Sequence, residues 1–499
     1  MESTQTPYDL ICIGFGVSGL SIAIALQERC PTSNALFLER DKKPQWQPGL
    51  AIPGMRMRSS LLCDLVTARN PRSKYTFINY LHSTGQLMTF TNLGSLRAPR
   101  EQFADYLAWC SASFDDRVRR GFTVVSVEPR VTASGVVEGW YVIGIDSDSG
   151  TKLSIPTRKV ICAAGLQSSI PKALTSPDVL PSVFHSSTYA EIASQLQDGS
   201  IMDKHIAVIG GNQHAAEIFE NLQTLPGNHR ATLYIQDAFL YPDTDHAFTG
   251  DILQSLAGRY AHLPLELRRK TVLQKGREEP PTVDLALLER LYELQAEQNS
   301  QSPNPAVQRF RIEPLRDVIG AARVDGRVQL HLQDARTGAA LPSSALFDVV
   351  ITATGYEHTA YTSLLAPAAH LFDDRELTVG RDYAVNFRRG SVRGDAGVWV
   401  LGALASEDDV SSLFLTSPYS LPFPIPAERP IFIFAFLFLV SVYQTLHPTI
   451  PSLLSKPAFE LYSLIGLYSY LVIFALHHIH LWFQIWIALL ITFLLPAER

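Results

Sequence analysis

The chain has 499 residues, room for two or three domains, and 46% hydrophobic against 18% charged residues excludes a disordered polymer. The formal net charge of -6 argues against nucleic acid as a partner. Cys12, Cys30, Cys63, Cys110 and Cys162 form no C-x-x-C pair, so no zinc knuckle or disulfide-reductase centre is expected and no metal site is assigned.

The N-terminal MESTQTPYD is polar and lacks the apolar core of a signal peptide, so the part that follows is expected to fold in the cytosol. Asp9–Ile13 is a short apolar run that predicts a buried strand. Gly14, Gly16 and Gly19 then spell G-x-G-x-x-G, Leu20–Leu26 predicts a packed helix, and Ala35–Leu38 a second strand closed by Glu39. Gly14 allows the tight turn, Gly16 lets a pyrophosphate approach the backbone, and Gly19 lets helix and strand pack closely. The pyrophosphate would sit on the free N–H groups of the helix start, and Glu39 would accept from the adenosine ribose hydroxyls.

Residues 44–75 are interrupted by Pro44, Pro48, Pro53 and Pro71 and predict a packed loop lining a ligand, with Ser60–Ala68 as a short helix. Tyr75–His82 and Arg100–Cys110 predict amphipathic helices, Phe122–Val127 and Gly139–Ile145 strands, and Lys159–Gly165 a buried strand with a small-residue exit. A second strand–turn–helix unit comes at His205–Glu217, with Thr232–Ile235 as its next strand. Asn212 stands where the second glycine is usual, a substitution expected to work through asparagine's tolerance of positive φ. Leu285–Leu294 predicts a helix, Asp348–Tyr356 a buried strand with a glycine exit, and Val398–Leu404 the last strand before the composition changes.

Two dinucleotide units, one inserted in the other, fit one resident cofactor and one that visits, and FAD with a nicotinamide is the economical pair. The fold class expected is α/β, with two Rossmann-like domains and a hydrophobic helical tail. The boundaries are residues 1–200 with 345–425 for FAD, 201–344 for NAD(P)H and substrate helices, and 429–499 for the tail.

The stretch Trp46–Pro71, with Pro53-Gly54, Met57, Ser59, Asp64, Thr67 and Arg69-Asn70-Pro71 in register, resembles the flavin-dependent N-hydroxylating monooxygenases, the ornithine and lysine N-hydroxylases. Phe77–Leu81 is similar to the F-x-N-Y-L helix of that family, and Arg100–Trp109 to its R-x-x-[FY]-x-D-Y-L-x-W. His185–Tyr189 and Ala353-Thr354-Gly355-Tyr356 resemble its H-S-S-x-Y and A-T-G-Y segments. The resemblance runs from about residue 8 to about 415. It implies FAD, reduction by NADPH or NADH, and a C4a-hydroperoxyflavin formed with O2 that N-hydroxylates a neutral amine in siderophore or other specialised metabolism. It implies no metal and no general-base dyad.

On that resemblance, FAD is expected at Gly14, Gly16, Gly19, Glu39, Trp46, Met57, Gly165, Thr354, Gly355 and Gly402. The nicotinamide cofactor is expected at Gly210, Gly211, Asn212, Gln213 and Glu217. Arg58, where the family has a Gln, and Ser412 are the candidates nearest the flavin. Cys63 occupies the position of the carboxylate-binding Lys of the ornithine enzymes, and with Arg56 and Gly250 it is assigned to the substrate pocket. DHAFTGD (245–251) and EEPPTVD (278–284) hold no Asn where two are expected to grip ornithine, and Gln236 and Tyr241 stand where cations for the NADPH 2′-phosphate belong. The expected substrate is therefore an amine other than free ornithine. Two alternatives stay open: oxygenation of sulfur or a ketone, and a FAD-binding protein without turnover.

Beyond the proline-rich Pro422–Pro430, Ile431–Leu446 and Leu481–Pro496 are uncharged and Phe459–Leu476 carries only Glu460. These runs are at the short edge of the roughly 17–25 residues that span a bilayer, and Trp482 and Trp486 suit an interface. Membrane helices with a cytoplasmic catalytic part are expected, against the alternative of buried helices in a soluble core. His477, His478 and His480 are expected at an interfacial turn, with heme or metal ligation as the alternative, and a homo-oligomer stays open.

Overall fold

In a computed structural model, the structure describes residues 6–401 apart from 45, 47–48, 50, 58, 199–202, 244–280, 305–306, 358, 374–376 and 381–382. The expectations placed on Arg58, Gly250, Gly402, Ser412 and the tail at 429–499 lie outside the described residues.

The first sheet runs Val118–Arg119, Ala35–Leu38, Tyr8–Ile13, Lys152–Cys162, Val137–Asp146, Phe122–Val131. Its parallel part is built from apolar runs because both faces are covered: Ile11, Cys12, Val160 and Cys162 are all fully buried. The strand Lys152–Cys162 serves two partners. Its first half pairs antiparallel with Trp140–Ile145, and its second half lies between Leu10–Ile13 and the late strand Val398–Val400. The helix Val17–Arg29 covers one face through Leu20, Ile22, Ala23 and Ile24. Around it stands an aromatic cluster in which Phe77 meets Tyr106 edge-on at 5.1 Å and Phe103 at 6.1 Å.

The second sheet is wholly parallel, in the order Phe310–Glu313, Arg230–Tyr234, His205–Ile209, Val349–Thr352, Val183–His185. The helices Gln213–Thr224 and Leu285–Gln301 pack on it through Ile218, Phe219, Leu222, Leu287 and Leu291. This pairing moves the expected boundaries at 200 and 345. Val183–His185 and Val349–Thr352 each hydrogen-bond into the second sheet, so the chain crosses before 183 and returns after 352. The two crossings touch: Gln167–Ser168 pairs antiparallel with Tyr356–Glu357.

Three local expectations change. Ser60–Ala68 is a series of turns, because the Asp64 carboxylate takes the N–H groups of Val66 (2.9 Å) and Thr67 (2.6 Å) and winds the chain back on itself. The second helix begins at Phe77, where Thr76 caps it by accepting from the Asn79 N–H at 3.2 Å. Asn212 does not occupy positive φ. Its φ is -96°, and it caps the helix Gln213–Thr224 by accepting from the Ala215 N–H at 3.0 Å. The other strands and helices named from sequence are present with shifted ends; the strand expected at Lys159–Gly165 begins at Lys152, the helix predicted at Leu285–Leu294 runs on to Gln301, and the end expected at Leu404 lies outside the described residues. The hairpin Arg316–Val324/Arg327–Asp334, turned by Asp325 and Gly326 at positive φ, is an addition.

Candidate active site

The first dinucleotide turn is fixed by close backbone approach. Gly14 has φ +96°, and a Cβ there would collide with the Ala163 carbonyl; one on Gly19 would collide with the Gly14 carbonyl. Gly16 differs. It is the N-cap of Val17–Arg29, and a Cβ built on it meets nothing within 4 Å. Glu39 is half-buried beside the turn: Phe15 N–H donates to its Oε2 at 2.7 Å and Asp41 N–H to its Oε1 at 3.0 Å. An open helix start, a carboxylate held above it and a glycine where backbone must be bare fit the pyrophosphate and ribose of FAD.

This geometry separates two effects of mutation. Gly16→Val should fold, because the added side chain enters open space, and yet purify without flavin, because that space is where the FAD pyrophosphate is expected. The check is the flavin absorbance of the purified variant beside its thermal unfolding; a fully yellow variant would mean the site is misassigned.

The second turn repeats the first. Gly210, at φ +139°, lies against the Ala353 carbonyl, and the Asn212 amide donates to that same oxygen at 2.7 Å. Gln213 and Glu217 do not face an open site. The Gln213 amide donates to Glu217 Oε1 (2.8 Å), and its carbonyl accepts from the Asp284 N–H (2.7 Å). Glu217 is 1% exposed and receives both guanidinium nitrogens of Arg100 at 2.7 and 2.8 Å. Burial pushes the Glu217 carboxyl up from its usual range, opposed by the Arg100 guanidinium and the Gln213 amide. Both residues, expected at the nicotinamide cofactor, tie the helix Gln213–Thr224 to the helix Arg100–Ser111 and to the start of Leu285–Gln301. A second ion pair, Arg97 with Asp284 at 2.9 Å, runs beside them.

Between the two turns lies a clip that sequence reasoning left without a role. Ser187 N–H donates to His185 Nδ1 at 3.1 Å, so the ring carries its proton on Nε2 and donates it to the Gly355 carbonyl at 2.9 Å. Burial holds the His185 pKa below the usual histidine value, which favours this neutral form. Tyr356 stands edge-on to the ring at 4.8 Å. Gly49 closes the clip from the loop after the first unit, since a Cβ there would run into the Ser187 carbonyl. The signal was present in H-S-S-T-Y and A-T-G-Y, but nothing in either run says that they meet.

Gly165 and Gly355 are at φ +72° and +95° with open space beside them, and the Thr354 hydroxyl donates to the Ser169 carbonyl at 3.1 Å. Trp46 packs edge-on to Phe103 at 5.3 Å, and Met57 is buried in the aromatic core with its N–H on the Ala98 carbonyl. Cys63 is half-buried and in no disulfide, its N–H donating to the Ser60 carbonyl at 2.8 Å. Arg56 is exposed and donates to the Arg97 carbonyl at 2.8 Å. Asp64 is the hub of this region. It is 1% exposed, and its second oxygen accepts from the Thr67 hydroxyl and the Phe77 N–H, both at 2.7 Å.

Two dinucleotide turns, one on a mixed sheet and one on a parallel sheet, joined by paired crossings, are the architecture of an oxidoreductase that moves electrons between a nicotinamide and a flavin. The chain belongs to the L-lysine 6-monooxygenase/L-ornithine 5-monooxygenase family, which it matches over residues 6–358. The L-ornithine N(5)-monooxygenase of Ajellomyces capsulatus is 34% identical to it over 422 residues, covering 83% of this chain and 89% of that protein. That of Pseudomonas aeruginosa is 32% identical over 385 residues, covering 76% and 85%. The solved ornithine hydroxylase PvdA from Pseudomonas aeruginosa has a similar fold, with a TM-score of 0.72 at 28% identity, over 83% of this chain and 98% of that one.

Proposed function

We propose that this enzyme N-hydroxylates an amine that lacks a free α-carboxylate where ornithine presents one, in the making of a siderophore or another specialised metabolite. The enzyme is a flavin-dependent N-hydroxylating monooxygenase with FAD and a nicotinamide dinucleotide, NADPH or NADH, as cofactors. The observation that carries the reading is the pair of dinucleotide turns within a chain that matches the family over residues 6–358. FAD, when bound, supplies the activation of O2 that no amino-acid side chain can. The chain's own residues bind and orient. Gly14–Gly19 and Glu39 are proposed to hold the FAD pyrophosphate and ribose, and Gly210–Asn212 the nicotinamide cofactor. The His185–Gly355 bond keeps the two crossings in one arrangement, and the aromatic packing around Phe77 and Phe103 keeps water from that side.

Cys63 supports the substrate reading. A thiol has a reference pKa of about 8.5 and cannot replace an ammonium ion. A buried carboxylate without a partner costs several kcal/mol, on the order of 3–5. Arg56 spends one guanidinium nitrogen on the Arg97 carbonyl. Free ornithine is therefore expected to be a poor substrate for the wild type and a better one for Cys63→Lys. The test is hydroxylamine formation with NAD(P)H and O2 across a panel of amines that includes ornithine. Wild-type turnover of ornithine with a KM of about 1 μM to 1 mM would refute the substrate reading. Flavin reduction with no hydroxylated amine anywhere in the panel would favour oxygenation of sulfur or a ketone.

The tail is part of the proposal. Among the described residues no helix is long and apolar enough to cross a membrane, so the reading rests on the uncharged runs Ile431–Leu446 and Leu481–Pro496 and on the nearly uncharged Phe459–Leu476. We place these in a bilayer and the catalytic part on the cytoplasmic side, with Arg429 beside the first run. The full chain should then sediment with membranes and resist carbonate extraction. Recovery in the soluble fraction would sink the assignment.

A further inference from the structure

The two dinucleotide units superpose residue by residue on their hydrogen bonds. Gly14 N–H donates to the Leu38 carbonyl, and Gly210 N–H donates to the Tyr234 carbonyl. Ile13 pairs with Leu38 as Ile209 pairs with Tyr234. Gly16 and Asn212 are the N-caps of their helices, so Phe15 corresponds to Gly211. In the first unit the Glu39 carboxylate sits on Phe15, taking its N–H at 2.7 Å. In the second unit the residue directly after the strand is the buried, apolar Ile235. The chain nevertheless brings a carboxylate to the matching place two residues later. A Cβ built on Gly211 lies 3.8 Å from Asp237 Oδ2, with Pro281 and Ile235 at 3.8 and 3.9 Å closing the other sides.

We infer that Asp237 is the counterpart of Glu39 and accepts the adenosine ribose diol of the nicotinamide cofactor, which makes NADH, not NADPH, the preferred reductant. This rests on the proposed reading of the second turn as the nicotinamide site. A carboxylate above the turn forms charge-assisted bonds with a 2′-hydroxyl and repels a 2′-phosphate in the same place. Its surroundings add no net positive charge, since Asp317 and Glu313 balance Arg311 and Arg316. Gln236, where a cation would be needed, donates its amide to Asp317 at 2.6 Å, and Gln333 donates to the other Asp317 oxygen at 2.7 Å. Arg311 and Arg316 on the neighbouring strands both face Glu313, at 3.3 and 3.6 Å. The half-buried Asp237 side chain makes no hydrogen bond among the described residues, so both oxygens are open to a diol.

The test is calorimetric binding of NAD+ and of NADP+ to the FAD-loaded protein, repeated on Asp237→Asn and on Gln236→Arg, with flavin reduction by NADH and NADPH followed by rapid mixing. NAD+ should bind at least about tenfold more tightly than NADP+, with the same preference in reduction. Asp237→Asn should narrow that ratio mainly by improving NADP+ binding, and Gln236→Arg should narrow or invert it. Equal affinity, or tighter NADP+, in the wild type overturns the inference, as does a ratio unchanged in both variants. Reduction of the flavin by neither nucleotide would instead overturn the reading of the second turn, and this inference with it.

Discussion

Asp64→Ala should destabilise the folded protein by about 3–5 kcal/mol, read as a fall in the urea midpoint at unchanged slope. The carboxylate is 1% exposed and accepts four hydrogen bonds, from Val66 N–H, Thr67 N–H, Thr67 Oγ and Phe77 N–H. Alanine strands three buried N–H groups and a hydroxyl, and a charge-assisted bond is worth about 1.5–3 kcal/mol. Asp64→Asn keeps the shape but turns an amide N–H toward donors, so it should fall between alanine and wild type. Because Asp64 joins the turns around Cys63 to the helix Phe77–Ser83, the alanine variant should also bind FAD less tightly. A loss of less than about 1 kcal/mol would show that water replaces the carboxylate and that the hub is not needed.

Breaking the pair between Arg100 and Glu217 is the second large effect. Each of Arg100→Ala and Glu217→Ala should cost about 3–5 kcal/mol, since each leaves an unpaired charge among groups at most 10% exposed. The double variant Arg100→Met/Glu217→Leu should cost clearly less than the sum of the two, because neither charge remains to be desolvated. The functional readout is coupling, the share of oxidised nicotinamide recovered as hydroxylated amine. Arg100 belongs to the helix of the first domain and Glu217 to the helix that starts at the second turn. Loss of the pair should let reduced flavin react with O2 unproductively, and coupling should fall more than the rate of reduction. Additive costs in the double-mutant cycle would show that the two residues act independently.

How much was legible in the sequence depends on the range of the contacts behind each feature. The strands at Tyr8–Ile13, His205–Ile209 and Val349–Thr352 are covered on both faces, so each reads as an apolar run. The glycines of the first turn stand at a spacing that the turn itself dictates, and spacing alone located them. Side-chain destinations were less legible. Gln213 and Glu217 come after the second turn as cofactor residues do, yet their partners Asp284 and Arg100 lie 71 and 117 residues away. Asp237 was invisible because the acid stands two residues further beyond its strand than Glu39 does in the first unit. The hairpin at Asp325-Gly326 carries its own local turn signal, an Asp-Gly pair between alternating segments.

The first sheet is closed by its latest strand, Val398–Val400, which lies against Val160–Cys162. During synthesis, the second sheet holds all its strands once Thr352 has emerged, while the first waits for Val400. At roughly 5–20 residues per second, the interval from Cys162 to Val398 lasts on the order of 10–50 s. Through that interval Val160–Cys162 presents an open, apolar edge to any other strand nearby. A nascent chain halted before Val398 therefore carries a finished second sheet beside an unfinished first one, and its hazard is intermolecular strand pairing rather than simple unfolding.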